Sequence, residues 1–211
     1  RDVSVAIMVG ALGLGGSACG WFGEPPPPTA ETAAMEGSLL TVADVGGRFV
    51  EEFRGEVGVS GGGVCPESDF GFDDVGMVRA AIVWPLQDDV QVELVQMVLV
   101  GETGELVTMF AEMDKAFDAC SGVVWTDYGE TQVAEVVEVP EVGDERLALH
   151  EVHGDPPFDG RHDDIRTVYV RSGDVFVEIS ASQTLDNSDD QPSLSDEEFE
   201  RIVGLAVEKL N

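Results

Sequence analysis

The chain of 211 residues carries 42 Asp and Glu against 11 Lys and Arg, a formal net charge of -31. So acidic a surface repels phosphate backbones and anionic lipid headgroups, whose recognition depends on cationic side chains, and nucleic-acid binding is excluded. Hydrophobic residues make up 43% of the chain, enough to place the acidic excess on a folded domain and not on a disordered one.

The stretch from Val3 to Leu14 is apolar and about as long as the hydrophobic region of a secretory signal, short of the roughly 20 residues needed to span a bilayer. Gly15-Gly16-Ser17-Ala18 supply the small side chains a signal peptidase pocket accepts, and Cys19 follows at once. This pattern predicts a lipoprotein signal peptide over 1–18, a lipid-bearing Cys19, and a stiff tether over 19–36 built on Pro25-Pro26-Pro27-Pro28. Bacterial lipoboxes usually carry Leu three residues before the cysteine, where this chain has Gly16, so plain secretion after cleavage at Ala18 is the alternative. The expected location is the extracytoplasmic face of the cell membrane, with the membrane as partner through Cys19. Residues 37–211 fit one domain.

Within that domain, Ser38 is positioned to cap a short helix from Leu39 to Val45, stopped by Gly46-Gly47. Residues 55–74 read as loop, because Gly61-Gly62-Gly63 and Cys65-Pro66 interrupt any regular element. Met77 to Leu86 and Val90 to Val100 are rich in β-branched residues and form a hairpin across Gln87-Asp88-Asp89. A helix then runs from Thr103 to Cys120, with Leu106, Met109, Phe110, Met113 and Phe117 on one stripe. Strand patterns return at 132–139, 146–152, 165–170 and 175–180, the last two flanking the turn Arg171-Ser172-Gly173-Asp174. A final helix starts near Ser195, places Asp196, Glu197 and Glu198 in its first turn, and carries Phe199, Ile202, Val203, Ala206, Val207 and Leu210 on one face. The order predicts an α+β fold, a curved antiparallel sheet of about six strands with helices packed on one side.

Chemistry-bearing residues are sparse. His150 and His153 stand three apart, which on a strand puts them on opposite faces and prevents them from sharing an ion. His153, Asp155, Asp159, His162, Asp163 and Asp164 contain the donors of a metal site, yet Gly154, Pro156, Pro157 and Gly160 make the same stretch an ordinary solvated loop. Asp186, Ser188, Asp190 and Glu197 echo a calcium loop, but Gln191 replaces the glycine its sharp turn requires. No metal or cofactor is expected. There is no Gly-x-Ser-x-Gly elbow, phosphate loop or His-Glu-x-x-His motif, so no enzyme is expected either. Trp84, Trp125 and Tyr128, with Phe70 and Phe72, are candidate cleft aromatics; core or edge positions account for them more simply.

Several short stretches, in order, resemble one family. They are Leu39-Leu40-Thr41-Val42-Ala43-Asp44, Phe110-Ala111-Glu112-Met113, Phe117-Asp118-Ala119-Cys120, Gly143-Asp144-Glu145, Tyr169-Val170-Arg171-Ser172-Gly173-Asp174-Val175 and Leu205-Ala206-Val207-Glu208-Lys209-Leu210. Together they resemble the extracytoplasmic sensor domain of the actinobacterial serine/threonine kinase PknH, a module that also occurs alone on lipoproteins, over residues 38–211. The resemblance implies flanking helices, a cleft and a ligand-sensing role, and brings no catalytic residues. Kinase members of that family carry two disulfides, whereas this chain has cysteines for only one beyond Cys19. The expected function is a lipid-anchored sensor or ligand-binding domain of the cell envelope, the ligand unnamed. The alternative is a structural or protein-interaction envelope lipoprotein without a small-molecule site.

Cys65 and Cys120 are the two cysteines left once Cys19 is assigned to the anchor, and in an exported protein they pair, two buried free thiols being the alternative. The bond encloses about 55 residues, for which the chain-entropy estimate is roughly 4 kcal/mol. Non-reducing peptide mapping is expected to recover a Cys65–Cys120 cross-link; alkylation of both thiols in the unfolded, unreduced protein would overturn the pairing.

Overall fold

Side chains alternate across a strand, so a sheet with two apolar rows needs a cover on each face. Four strands of this protein carry two such rows. The computed structural model describes residues 30–57, 77–86, 89–127, 130–139, 141–154, 162–185 and 194–210. Its helices are α1 (Ala30–Ser38), α2 (Val42–Val45), α3 (Thr103–Cys120) and α4 (Asp196–Glu208). Its strands are β1 (Val50–Val57), β2 (Met77–Leu86), β3 (Asp89–Val100), β4 (Val124–Asp127), β5 (Glu130–Val136), β6 (Glu145–Gly154), β7 (His162–Ser172) and β8 (Val175–Leu185). They form one antiparallel sheet in the order β1-β2-β3-β8-β7-β6-β5-β4. The first three strands form one meander and the last five another. Helix α3 carries the chain from β3 to the far edge, and the second meander returns until β8 pairs with β3.

On one face, Val92, Leu94 and Val98 of β3, Val168 and Val170 of β7, and Val177, Ile179 and Ala181 of β8 pack beneath α1, α2 and α4. Helix α4 fills this side with Phe199, Ile202, Val203, Ala206 and Val207, all buried. On the other face, Leu99, Leu147, Leu149, Tyr169 and Phe176 meet the α3 stripe of Leu106, Phe110, Met113 and Phe117. Ring pairs bind that layer together: Phe117–Tyr169 at 5.6 Å, Tyr169–Phe176 at 6.0 Å and Phe110–Phe176 at 6.4 Å between centroids.

The α+β class, the antiparallel sheet and the single domain agree with the sequence reading. The sheet has eight strands where about six were expected, and α3 lies on the face opposite the other helices. Strands β1 and β4 escape the sequence pattern because they are edges. Val50-Glu51-Glu52-Phe53-Arg54 is charged in the way that guards an edge strand, and β4 has only four residues. Helix α1 occupies the end of the stretch read as tether, with Met35 in the core.

Ser38 ends α1 instead of capping the next helix; its hydroxyl donates to the Met35 carbonyl at 2.7 Å. Thr41 takes the capping position, where its backbone N–H and its hydroxyl both donate to Asp44 Oδ2 at 2.7 Å. Lys209 Nζ reaches the same oxygen at 2.6 Å, tying α2 to the end of the chain. Burial opposes ionisation of Asp44, but the hydrogen bonds from Lys209 and Thr41 outweigh it and lower its pKa to about 2. The junction of α1 and α2 is held from the sheet by Gln96, only 1% exposed, whose Oε1 accepts from the Leu40 N–H at 2.6 Å. Arg54 donates to the Glu36 and Leu40 carbonyls beside it. These bonds satisfy backbone groups that helix ends leave open.

Gly143 precedes β6 with φ at +66°, and a Cβ there would stand 2.4 Å from Val170 Cγ1 and 2.7 Å from the Arg171 carbonyl oxygen. Gly173, in the β7–β8 turn, has φ at +63° but open space around it. Gly143→Ala is therefore expected to cost about 2–4 kcal/mol, from overpacking added to backbone strain, and Gly173→Ala about 1 kcal/mol from the backbone alone. Urea unfolding of the two variants checks the order; equal losses would contradict it.

Candidate functional site

Adjacent strands β6, β7 and β8 bring a polar group into an otherwise apolar face. Register sets His150 opposite Arg166, and Asp164 opposite Gln183. Asp164 is the hub. Its Oδ2 lies 2.8 Å from His150 Nε2, and its Oδ1 accepts from Gln183 Nε2 at 3.2 Å and faces Arg166 Nε at 3.3 Å. Arg166 uses its remaining nitrogens on the start of α4, one to Asp196 Oδ1 at 2.6 Å and one to the Leu194 carbonyl at 2.7 Å. Its guanidinium also lies over the Phe199 ring, 5.7 Å from the centroid. Gln183 Oε1 completes the clamp by accepting from the Leu194 N–H at 3.3 Å. Ser195 then caps α4, its hydroxyl accepting from the Glu198 N–H.

The electrostatics follow from this network. The hydrogen bond to Asp164 raises the pKa of His150 above its ordinary 6.5, against the opposing effect of burial. Burial pushes the Asp164 carboxyl up, but hydrogen bonds from His150 and Gln183 and the nearby positive charges hold it below its ordinary value. Side-chain exposures of 12% for Arg166 and 13% for Asp164, against 35% for His150, make the imidazole the open end of the set.

Beside this network lies a groove of about 400 Å³ between the 137–139 segment, β6–β7 and the first turns of α4. Its apolar lining includes Val139, Ala148, Val168, Phe199 and Val203, while His150, Asp164 and Arg166 close one end. Glu138, Asp196 and Glu200 supply further carboxylates. Among the described residues no Ser, Thr or Cys side chain lines it. The arrangement is suited to holding a part-apolar molecule by burial and a few polar contacts.

Of the residues singled out from sequence, His150 and Asp164 meet at this site, and the others fall elsewhere or outside the described residues. Cys19, Cys65 and Tyr128 lie outside them, as do Asp155 and Asp159 of the metal-loop donors and Asp186, Ser188 and Asp190 of the calcium-loop residues. Cys120 is the last residue of α3, and its side chain is not among those described. Trp84 and Trp125 sit on β2 and β4, with five strands between them in the sheet order; of their side chains nothing is described. The groove takes its aromatic wall from Phe199 instead. His150 and His153 do lie on opposite faces of one continuous strand. Among the described residues no group of three or more His, Cys, Asp or Glu is placed to hold a metal ion. Arg166 and Gln183 were missed, although an arginine between Ile165 and Val168, in a chain so poor in cations, was a legible signal of an inward charge needing partners.

No protein-family model and no curated protein matches the chain. Among solved structures it is similar to the extracellular domain of PknH from Mycobacterium tuberculosis, with a TM-score of 0.62 at 11% sequence identity, covering 85% of this chain and 96% of that one. The chain has the fold of the PknH extracellular domain. It is also similar to a putative uncharacterized protein, the Rv0999 ortholog of Mycobacterium smegmatis, with a TM-score of 0.50 at 15% identity, over 85% of this chain and 95% of that one. The groove and its polar end therefore belong to a PknH-like framework built from an almost entirely different set of side chains.

His150, with its raised pKa, contributes stability that is fully present below its ordinary 6.5 and fades as pH rises through the elevated folded value. Asp164, lowered from 3.8, contributes above that value and loses its contribution as pH falls through the folded one. An NMR titration is expected to place the His150 midpoint above 6.5 in the wild type and lower it in Asp164→Asn. An unchanged midpoint in that variant would contradict the pairing.

Proposed function

We propose that this protein is a lipid-anchored extracytoplasmic sensor or ligand-binding domain, held at the membrane by Cys19 and binding its ligand in the groove over β6 and β7. The observation that carries the reading is the groove itself, part apolar, beside a polar cluster with an accessible imidazole. The likeness of fold to an extracellular kinase domain supports an extracytoplasmic setting, and the small-residue site before Cys19 supports the anchor. A disulfide between Cys65 and Cys120 would suit the same compartment. The groove also favours a small-molecule site over a purely structural role.

A thermal-shift screen of the protein against envelope lipids, glycans and divalent cations tests the binding reading. A ligand at about 100 times its dissociation constant contributes about 2.7 kcal/mol, a rise of several degrees for a domain of this size. Glu200→Trp places a bulky ring on an exposed position of the lining and is expected to abolish that rise without loss of basal stability. A rise that survives in this variant would put the ligand elsewhere. Mass spectrometry of the mature N-terminus tests the anchor, with an unmodified Cys19 in a soluble fraction as the contrary result.

A further inference from the structure

The charge balance of the groove bears on what it binds, and the inference rests on the groove being a ligand site. Both basic side chains in the lining are engaged. Arg166 is shared among Asp164, Asp196 and the Leu194 carbonyl, and His150 bonds Asp164. Glu138 and Glu200 remain, one from the 137–139 segment and one from α4. Both are exposed, and no hydrogen bond or ion pair to either is found among the described residues. Even with His150 protonated, four carboxylates in the lining outnumber its two basic side chains, within a chain of net charge -31. An anionic head would enter against this field, whereas a cationic one would be drawn in. The apolar lining sets the rest of the ligand, because Ala148, Val168, Phe199 and Val203 offer a simple inorganic cation nothing.

We propose that the groove binds an amphiphile with a cationic head, an ammonium or guanidinium group held by Glu138 and Glu200, and an apolar body lying on Val139, Ala148, Val168 and Phe199. The head replaces no existing bond, since Asp164 and Asp196 already have their partners. Its attraction is exposed to solvent and falls with added salt, while the contribution of the apolar body does not.

Calorimetric titration of the protein with decylamine, decanol and decanoate, matched in chain length and differing in head, tests the assignment. Decylamine is expected to bind tightest and decanoate weakest. The double variant Glu138→Gln/Glu200→Gln is expected to weaken decylamine roughly five- to tenfold and to leave decanol unchanged. Glu112→Gln/Asp118→Gln, which removes the same charge from the exposed side of α3 on the other face of the sheet, should leave decylamine binding as it was. Equal losses in the two double variants would reduce the effect to diffuse charge and overturn the proposal. Decanoate binding as tightly as decylamine, with both blocked by Glu200→Trp, would overturn the cationic head yet keep the groove as a ligand site. No binding of any of the three that Glu200→Trp blocks would contradict both.

Discussion

Burial of β6, β7, β8 and β3 on both faces is the constraint on which the rest of this structure depends. A one-residue slip sends every side chain of a strand to the opposite face, so burial of one face already penalises it and burial of both penalises it twice. Here a slip of β8 would move Val177 and Ile179 out from beneath α4 and Phe176 away from Phe110 and Tyr169 at once. Two independent cores thus enforce one register. That register is what sets His150 beside Arg166 and Asp164 beside Gln183.

Buried polar groups cost free energy unless they are bonded, and this sheet uses several of its inward ones to fasten helices. Gln96 holds the α1–α2 junction through the Leu40 N–H, and Gln183 holds the approach to α4 through the Leu194 N–H. Arg54 and Arg166 do the same for carbonyls. At the groove this has a structural consequence. The network that closes its end is also the network that docks α4, so the bonds of His150, Arg166 and Asp196 bear on the attachment of a helix.

Scarcity of cations sharpens these roles. With 11 Lys and Arg among 211 residues, a positive charge in the interior stands out, and Arg166 and Arg171 are both held by two carboxylates and a carbonyl. Arg171, 8% exposed, ties Asp144 and Glu145 to the β7–β8 turn beside Gly143. Among the described residues most of the other carboxylates are exposed, where water and counterions screen mutual repulsion.

Much of this was legible from the chain alone, because secondary structure follows local periodicity. The α3 stripe, the Ser195 cap, the β2–β3 hairpin and the Gly173 turn each depend on neighbours within a few residues, and the family resemblance drew on the same stretches. Edge strands β1 and β4 were hidden, since a strand paired on one side needs little apolar character. Which face each helix covers was not legible either; α3 and α4 are both amphipathic, and only the crossing from β3 to the far edge places them apart. The groove belongs to the same class. His150, Asp164, Arg166, Gln183 and Phe199 come from three strands and a helix, and no sequence spacing links them. Strand pairing between distant segments, decided by two-sided burial, is what makes them neighbours.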